Sequence, residues 1–120
     1  MRVLQFNALT QTLPLSRRIR QKIDFEQAFR AQRYTNKWFI IYARKNEHGY
    51  ARLGLVVSKK TMAKAVTRNF AKRLVREVFR CNFSAEQSLD LVVRARRQIG
   101  QENSAEGRLA LTQLLLAVQS

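Results

Sequence analysis

Between Arg52 and Arg80 the chain concentrates side chains suited to one chemistry, the gripping of phosphate. The segment reads RLGLVVSKKTMAKAVTRNFAKRLVREVFR. An apolar strand ends in a Ser58-Lys59-Lys60 turn, and a helix follows with cations at every fourth position, Arg68, Lys72, Arg76 and Arg80. With Lys64 and Arg73, residues 59–80 hold eight cations against one anion, Glu77. Like charges four apart on a helix repel, and charge of one sign costs stability unless a polyanion meets it. A merely solvated face usually mixes signs, and this one hardly does. Guanidinium groups take phosphate through paired donors, and lysines act as mobile point charges.

Bond-breaking chemistry has much less to work with. The acids are Asp24, Glu26, Glu47, Glu77, Glu86, Asp90, Glu102 and Glu106. Only Asp24 and Glu26 lie close in sequence, whereas two-metal hydrolysis needs clustered carboxylates. A serine or cysteine nucleophile would have only His48 to orient it. One cysteine, Cys81, and one histidine build neither a disulfide nor a zinc cluster. No catalytic residue and no protein-held metal are expected, and Cys81 reads as a small, partly buried residue at a helix end.

The positioning elements follow from periodicity. Asp24 reads as a helix cap with Gln27 three residues on, and Phe25, Ala28 and Phe29 share one face of that helix. Residues 36–44 alternate, with Trp38, Ile40 and Tyr42 on one side and Phe39, Ile41 and Ala43 on the other. The turn Asn46-Glu47-His48-Gly49, with a solvated His48, then leads to the strand at 52–57, which predicts an antiparallel hairpin. A long helix covers 65–80. Val66, Phe70, Leu74 and Val78 form its apolar row, with Ala71 and Val75 beside them, and the cations lie opposite. DLVVRA, residues 90–95, is a central strand. Asn103 or Ser104 caps a last helix that buries Leu109, Leu111, Leu114, Leu115 and Val118. The plan is α+β, a small mixed sheet packed with helices, with a β-α-β crossover if the strands at 52–57 and 90–95 are parallel neighbours.

The formal net charge is +15 with a pI near 11.4. A domain that basic implies an anionic partner, nucleic acid before a membrane surface. The lone cysteine suits a reducing compartment, most simply the cytosol. Residues 1–16 lack the apolar run of a secretory signal and are expected to be a disordered extension, with one nucleic-acid-binding domain over 17–120. An amphipathic helix that binds a membrane surface or calmodulin is a further reading of 65–80, and the surrounding strand pattern argues against it. For the aromatic residues the sequence leaves two readings. Phe25, Phe29 and Tyr42 are either core or the lining of a cleft, and Trp38 is core or rim.

The order RLGLVVSKK, AVTRNFAKRLVRE, DLVVRAR, preceded by the Asp24-Phe25…Phe29 helix and the Phe39-Ile40-Ile41-Tyr42 strand, resembles the protein component of bacterial ribonuclease P over about residues 20–116. The resemblance implies an α/β sandwich like the second domain of a ribosomal small-subunit protein, with a left-handed crossover. It implies a cytoplasmic partner of a catalytic RNA and of precursor tRNA, with no membrane and no obligate protein partner. The RNA, with magnesium, would hydrolyse the phosphodiester to give the mature 5′ end, while the protein holds the 5′ leader. By motif, Arg68, Asn69, Lys72, Arg73 and Arg76 would contact that RNA, with Lys59 and Lys60 in the strand-end lysine pair. Lys64 and Arg80 extend the basic row. Phe25, Phe29 and Tyr42 stand at leader-cleft positions. Two departures stand out: Phe70 replaces the family's second motif arginine, and Ala63-Lys64 replaces its Gly-Asn. The rival reading is a ribosomal or ribosome-assembly protein that uses the same basic fold as a brace.

Overall fold

The computed structural model describes residues 13–84 and 86–119. In chain order these form α1 (Lys22–Ala28), β1 (Gln32–Thr35), β2 (Phe39–Lys45), β3 (Arg52–Val56), α2 (Ala65–Asn82), β4 (Leu89–Ala95) and α3 (Ser104–Gln119). The four strands make one mixed sheet in the order β1-β2-β4-β3. β4 runs antiparallel to β2 and parallel to β3, so β3-α2-β4 is the anticipated crossover.

The anticipated hairpin between β2 and β3 does not form, because β4 lies between them. Charge explains why. A hairpin closed evenly about residues 46–51 would set Lys45 opposite Arg52, and facing like charges are unfavourable. In the sheet Arg52 instead faces an acid, Asp90, which pairs with Arg44 on its other side. The 46–51 turn instead arches over the start of β4, held by Asn46 N–H donating to Ser88 O at 3.0 Å. β2 finds its hairpin partner in β1, across a turn where Asn36 Oδ1 accepts from the N–H groups of Trp38 and Phe39. β1 is only four residues of mixed polarity, too short for a periodic signal.

Strand alternation divides the interior in two. Phe39, Ile41, Leu53, Leu91 and Val93 face α2 and α3, which contribute Ala71, Leu74, Val75, Phe79, Leu111 and Leu115. On the other face, Val92 is buried with Ile19 and Ala28, and Phe25, Tyr42 and Val56 pack around them. The last four residues of the expected N-terminal extension are not a tail. Leu13 is buried in the larger core, and Leu15–Arg17 form a single 3-10 turn. Ile19 N–H then donates to Leu53 O at 2.8 Å along the open edge of β3. Residues 1–12 of that extension lie outside the described residues.

Other expectations are corrected by the same packing. Asp24 makes no capping bond. The cap position is Gln21, and Asp24 sits in the first turn, paired to Arg52 at 3.5 Å. Val66 is 78% exposed, because residues four apart drift about 40° around a helix and Val66 lies three such steps from Val78. Leu109 faces solvent rather than the core, as Leu116 also does. Cys81, in the last turn of α2, is exposed rather than partly buried. Trp38 is half-buried at the rim, with the Arg97 guanidinium 4.5 Å above its ring.

Candidate nucleic-acid interface

The β3–α2 connection is fastened locally. Ser58 Oγ accepts from Thr61 N–H at 3.1 Å, Met62 N–H donates to Ser58 O, and Met62 is fully buried. This leaves Lys59 and Lys60 exposed at the turn and Lys64 exposed just before the helix. Arg68 turns back, and its Nη1 donates to Met62 O at 3.1 Å and Ala63 O at 2.8 Å. Much of its donor capacity is therefore spent on the turn.

The rest of the basic row borders a groove lined by Leu13, Arg18, Asn69, Lys72, Arg73, Arg76 and one acid, Glu77. Asn69 and Arg73 are exposed, and Lys72 and Arg76 are half-buried. Arg80, at the end of the groove, is only 8% exposed. Glu77, the anion of the segment, is occupied by Arg108 of α3 at 2.7 Å. Among the described residues no carboxylate lies within ion-pair distance of Lys72, Arg73 or Arg76. Burial, and then the neighbouring Arg18 guanidinium, lower the pKa of Arg76 from the ordinary arginine value. Like charges held this close, partly out of water, form an electrostatic deficit that an anion relieves. Phe70, at the family's second arginine position, packs against the core instead.

The aromatic residues converge on the other side of the sheet. Phe25 and Phe29 have centroids 6.5 Å apart, and Phe29 meets Tyr42 edge-on at 5.0 Å. Phe29 is 43% exposed, while Phe25 and Tyr42 are half-buried. Phe25 and Phe29 line an open cleft of about 570 Å³ with Arg20, Lys22, Val56 and Lys72, within the size range of ligand sites. The sequence left core and cleft open for these rings, and they divide: Phe25 packs on the smaller core and lines the cleft, Tyr42 packs on that core, and Phe29 lines the cleft with its edge against Tyr42.

Gly54 sets the depth of that cleft. A Cβ there would come within 2.8 Å of Phe25 Cε1 and 3.2 Å of Ile19 Cβ. We expect Gly54→Ala to lower stability by about 1–3 kcal/mol through overpacking and to push the Phe25 ring outward. Urea unfolding reads the first effect, and an unchanged midpoint would show that the ring moves freely.

Lys72 borders both the α2 groove and the aromatic cleft, and the depression between them, lined by Arg18, Arg20, Phe25, Lys72 and Arg76, joins the two. The cationic helix and the aromatic rings thus belong to one continuous track around the β3 edge. No residue spacing in the sequence signals this, because it depends on β3 being the edge strand.

Sequence reasoning also missed the network that positions the track. Asp90 is fully buried and takes a bidentate grip from Arg52, Nε at 2.9 Å and Nη2 at 2.7 Å. Asn46 Nδ2 donates to it at 2.8 Å, and Arg44 approaches to 3.6 Å. Burial alone would raise the pKa of Asp90. Hydrogen bonds from Arg52 and Asn46, with the Arg52 charge, outweigh it and hold the carboxyl below its usual range. Arg52 also reaches Asp24, so one buried cluster fixes α1 to three strands. These carboxylates are engaged by arginines, and the described residues contain no group of three ligating side chains suited to a metal. Among the described residues the carboxylates, engaged in this way, do not gather into a set that fits magnesium.

An α+β sandwich with an unbalanced cationic helix joined to an aromatic cleft defines an RNA-binding protein. The Ribonuclease P family model matches residues 13–119. The ribonuclease P protein component of Chromobacterium violaceum is 45% identical over 83 residues, 69% of each chain. That of Methylococcus capsulatus is 41% identical over 93 residues, 77% of this chain and 73% of the relative. Among solved structures, the Thermotoga maritima ribonuclease P protein superposes with a TM-score of 0.65 at 34% identity, covering 84% of this chain and 93% of that one. A Staphylococcus aureus ribonuclease P protein mutant, described as defective in mRNA degradation, superposes with a TM-score of 0.75 at 28% identity, covering 87% and 89%. The chain belongs to the ribonuclease P protein family, the RNA-binding protein component of a tRNA-processing nuclease. The relatives named here are ribonuclease P proteins, not ribosomal braces. Among the described residues no helix is long and apolar enough to cross a membrane.

Proposed function

We propose that the α2 groove docks on the catalytic RNA of ribonuclease P, while the cleft lined by Phe25 and Phe29, with Tyr42 against Phe29, holds the single-stranded 5′ leader of precursor tRNA. Lys72, Arg73 and Arg76, with the exposed Lys59, Lys60 and Lys64, supply the docking charge, and the exposed Asn69 amide adds hydrogen-bonding groups. Arg68 holds the turn that presents the lysines, and Arg80 closes the end of the groove. Folded RNA offers shape and backbone more than readable base edges, which suits a rigid row of cations. A leader of varied sequence needs a reader without base preference, and every base has a π-face to stack. Hydrolysis belongs to the RNA, with magnesium held mainly by it, in the cytoplasm. The protein's part is to fix the leader relative to the docked RNA.

The observation that carries this reading is the sharing of Lys72 by the groove and the cleft. A leader held there is held at a fixed offset from the catalytic RNA. Replacing Phe29, the most exposed of the three rings, with Ala should weaken binding of precursor tRNA to the holoenzyme by about 5–100-fold, one lost stack, and leave mature tRNA unchanged. Equal loss for both substrates would make the ring core and remove the leader site.

A further inference from the structure

β4 is an inner strand, and Val92, Val93 and Ala95 are buried, yet Arg94 between them is exposed. Its cross-strand partners are Ile40 on β2 and Val56 on β3. Val56 packs with Phe25 and Tyr42, so Arg94 stands on the aromatic face. The cover given by α1 ends over Val92 and leaves the next row of the sheet open. Arg33 lies on the same face from the other side. It is the direct partner of Tyr42 and is exposed, while its neighbour Tyr34 turns toward the larger core. Among the described residues neither arginine has an ion-pair partner. Asp90, the acid on this face of β4, is already taken by Arg52, Asn46 and Arg44. Strand spacing and rise put the two Cα atoms roughly 12 Å apart, with Tyr42 between them.

We propose that Arg33 and Arg94 clamp the backbone of the tRNA precursor's 5′ extension on either side of Tyr42. The inference rests on the leader reading of the cleft. The rings take bases and the two guanidinium groups take the flanking phosphates, so neither part reads sequence. Both arginines lie across the sheet from α2, so their contribution separates from docking on the catalytic RNA.

The test measures binding of precursor and mature tRNA to the holoenzyme at several salt concentrations for Arg33→Ala, Arg94→Val and the double variant, with Phe29→Ala alongside. Valine suits an inner strand, and thermal melting confirms that each variant folds. Each arginine variant should lose about 5–20-fold on precursor, the loss of one charge-assisted contact. Its log–log salt slope should fall by about 0.7, mature tRNA should be unaffected, and lysine at either position should restore most of the loss. If Phe29→Ala narrows the precursor preference and the arginine variants do not, the clamp is wrong and the cleft stands. If neither narrows it, the leader reading falls and the clamp with it. Equal losses on precursor and mature tRNA would overturn the clamp by making the arginines general RNA contacts.

Discussion

Replacing Lys72, Arg73 and Arg76 together with Ala should weaken binding to the catalytic RNA by on the order of 100-fold or more at low salt. It should also flatten the salt dependence. These three cations border the α2 groove, no carboxylate among the described residues balances them, and burial plus Arg18 already strain Arg76. Each lost phosphate contact removes about 0.7–0.9 from the slope of log K against log salt, so the triple variant should lose about 2–3. Arg68→Ala is the informative control. Its guanidinium is bonded to the carbonyls of Met62 and Ala63, so its loss should lower stability more than slope. Filter-binding titrations across a salt series separate the two. An unchanged slope for the triple variant would show that this face of α2 does not touch RNA.

The sequence carried the long helix and the strand at 90–95 because both are written in local periodicity, while the crossover they belong to stayed conditional on parallel pairing. Leu74, Val75 and Val78 recur at helical spacing, and Leu91-Val92-Val93 is an unbroken apolar run. The strand order was not local. Six residues between Lys45 and Arg52 read as a hairpin turn, and only the distant Asp90 shows why the two strands must part. The signal existed in the like charges that a hairpin would have opposed, but reading it required knowing which acid intervenes. The cationic row was legible as a row. That Arg68 would spend its donors on the turn and Arg80 would be nearly enclosed depends on the β3–α2 connection and the close of the groove, neither of which has a periodic signature. The Phe25, Phe29, Tyr42 grouping came from the family resemblance, and the residues themselves left core and cleft open. Gly54, which makes room for Phe25, is not marked by any local pattern, because the contact it permits is with a residue 29 positions earlier.

Asp90→Asn should be the most destabilising single change in the described chain. The carboxylate is fully buried, and Arg52, only 13% exposed at its side chain, depends on it for two of its hydrogen bonds. Neutralising Asp90 leaves Arg52 with Asp24 at 3.5 Å and strands a nearly buried charge. Breaking a buried pair in this way costs about 3–5 kcal/mol, a large part of the ~5–15 kcal/mol that holds a domain together. The surface pair Arg108–Glu77, tested by Arg108→Ala, should cost less than about 1 kcal/mol. The sign of the pH effect follows from the depressed pKa of Asp90. Its contribution is present above the unfolded carboxyl value of about 3.9 and is lost as pH falls below that toward the folded value. Wild-type stability should therefore decline below about pH 4, and Asp90→Asn, already without the charge, should decline less over the same range. Urea unfolding from pH 7 to pH 3 measures both. Parallel acid slopes, or a cost under 1 kcal/mol at pH 7, would mean that the network is not what fastens β3 and β2 to β4. A second variant separates charge from shape. Replacing Asp90 and Arg52 together with Leu and Met removes the stranded charge, and such apolar substitutions of buried pairs are often neutral. Recovery of most of the stability there, but not in Asp90→Asn, would identify the unpaired Arg52 guanidinium as the source of the loss.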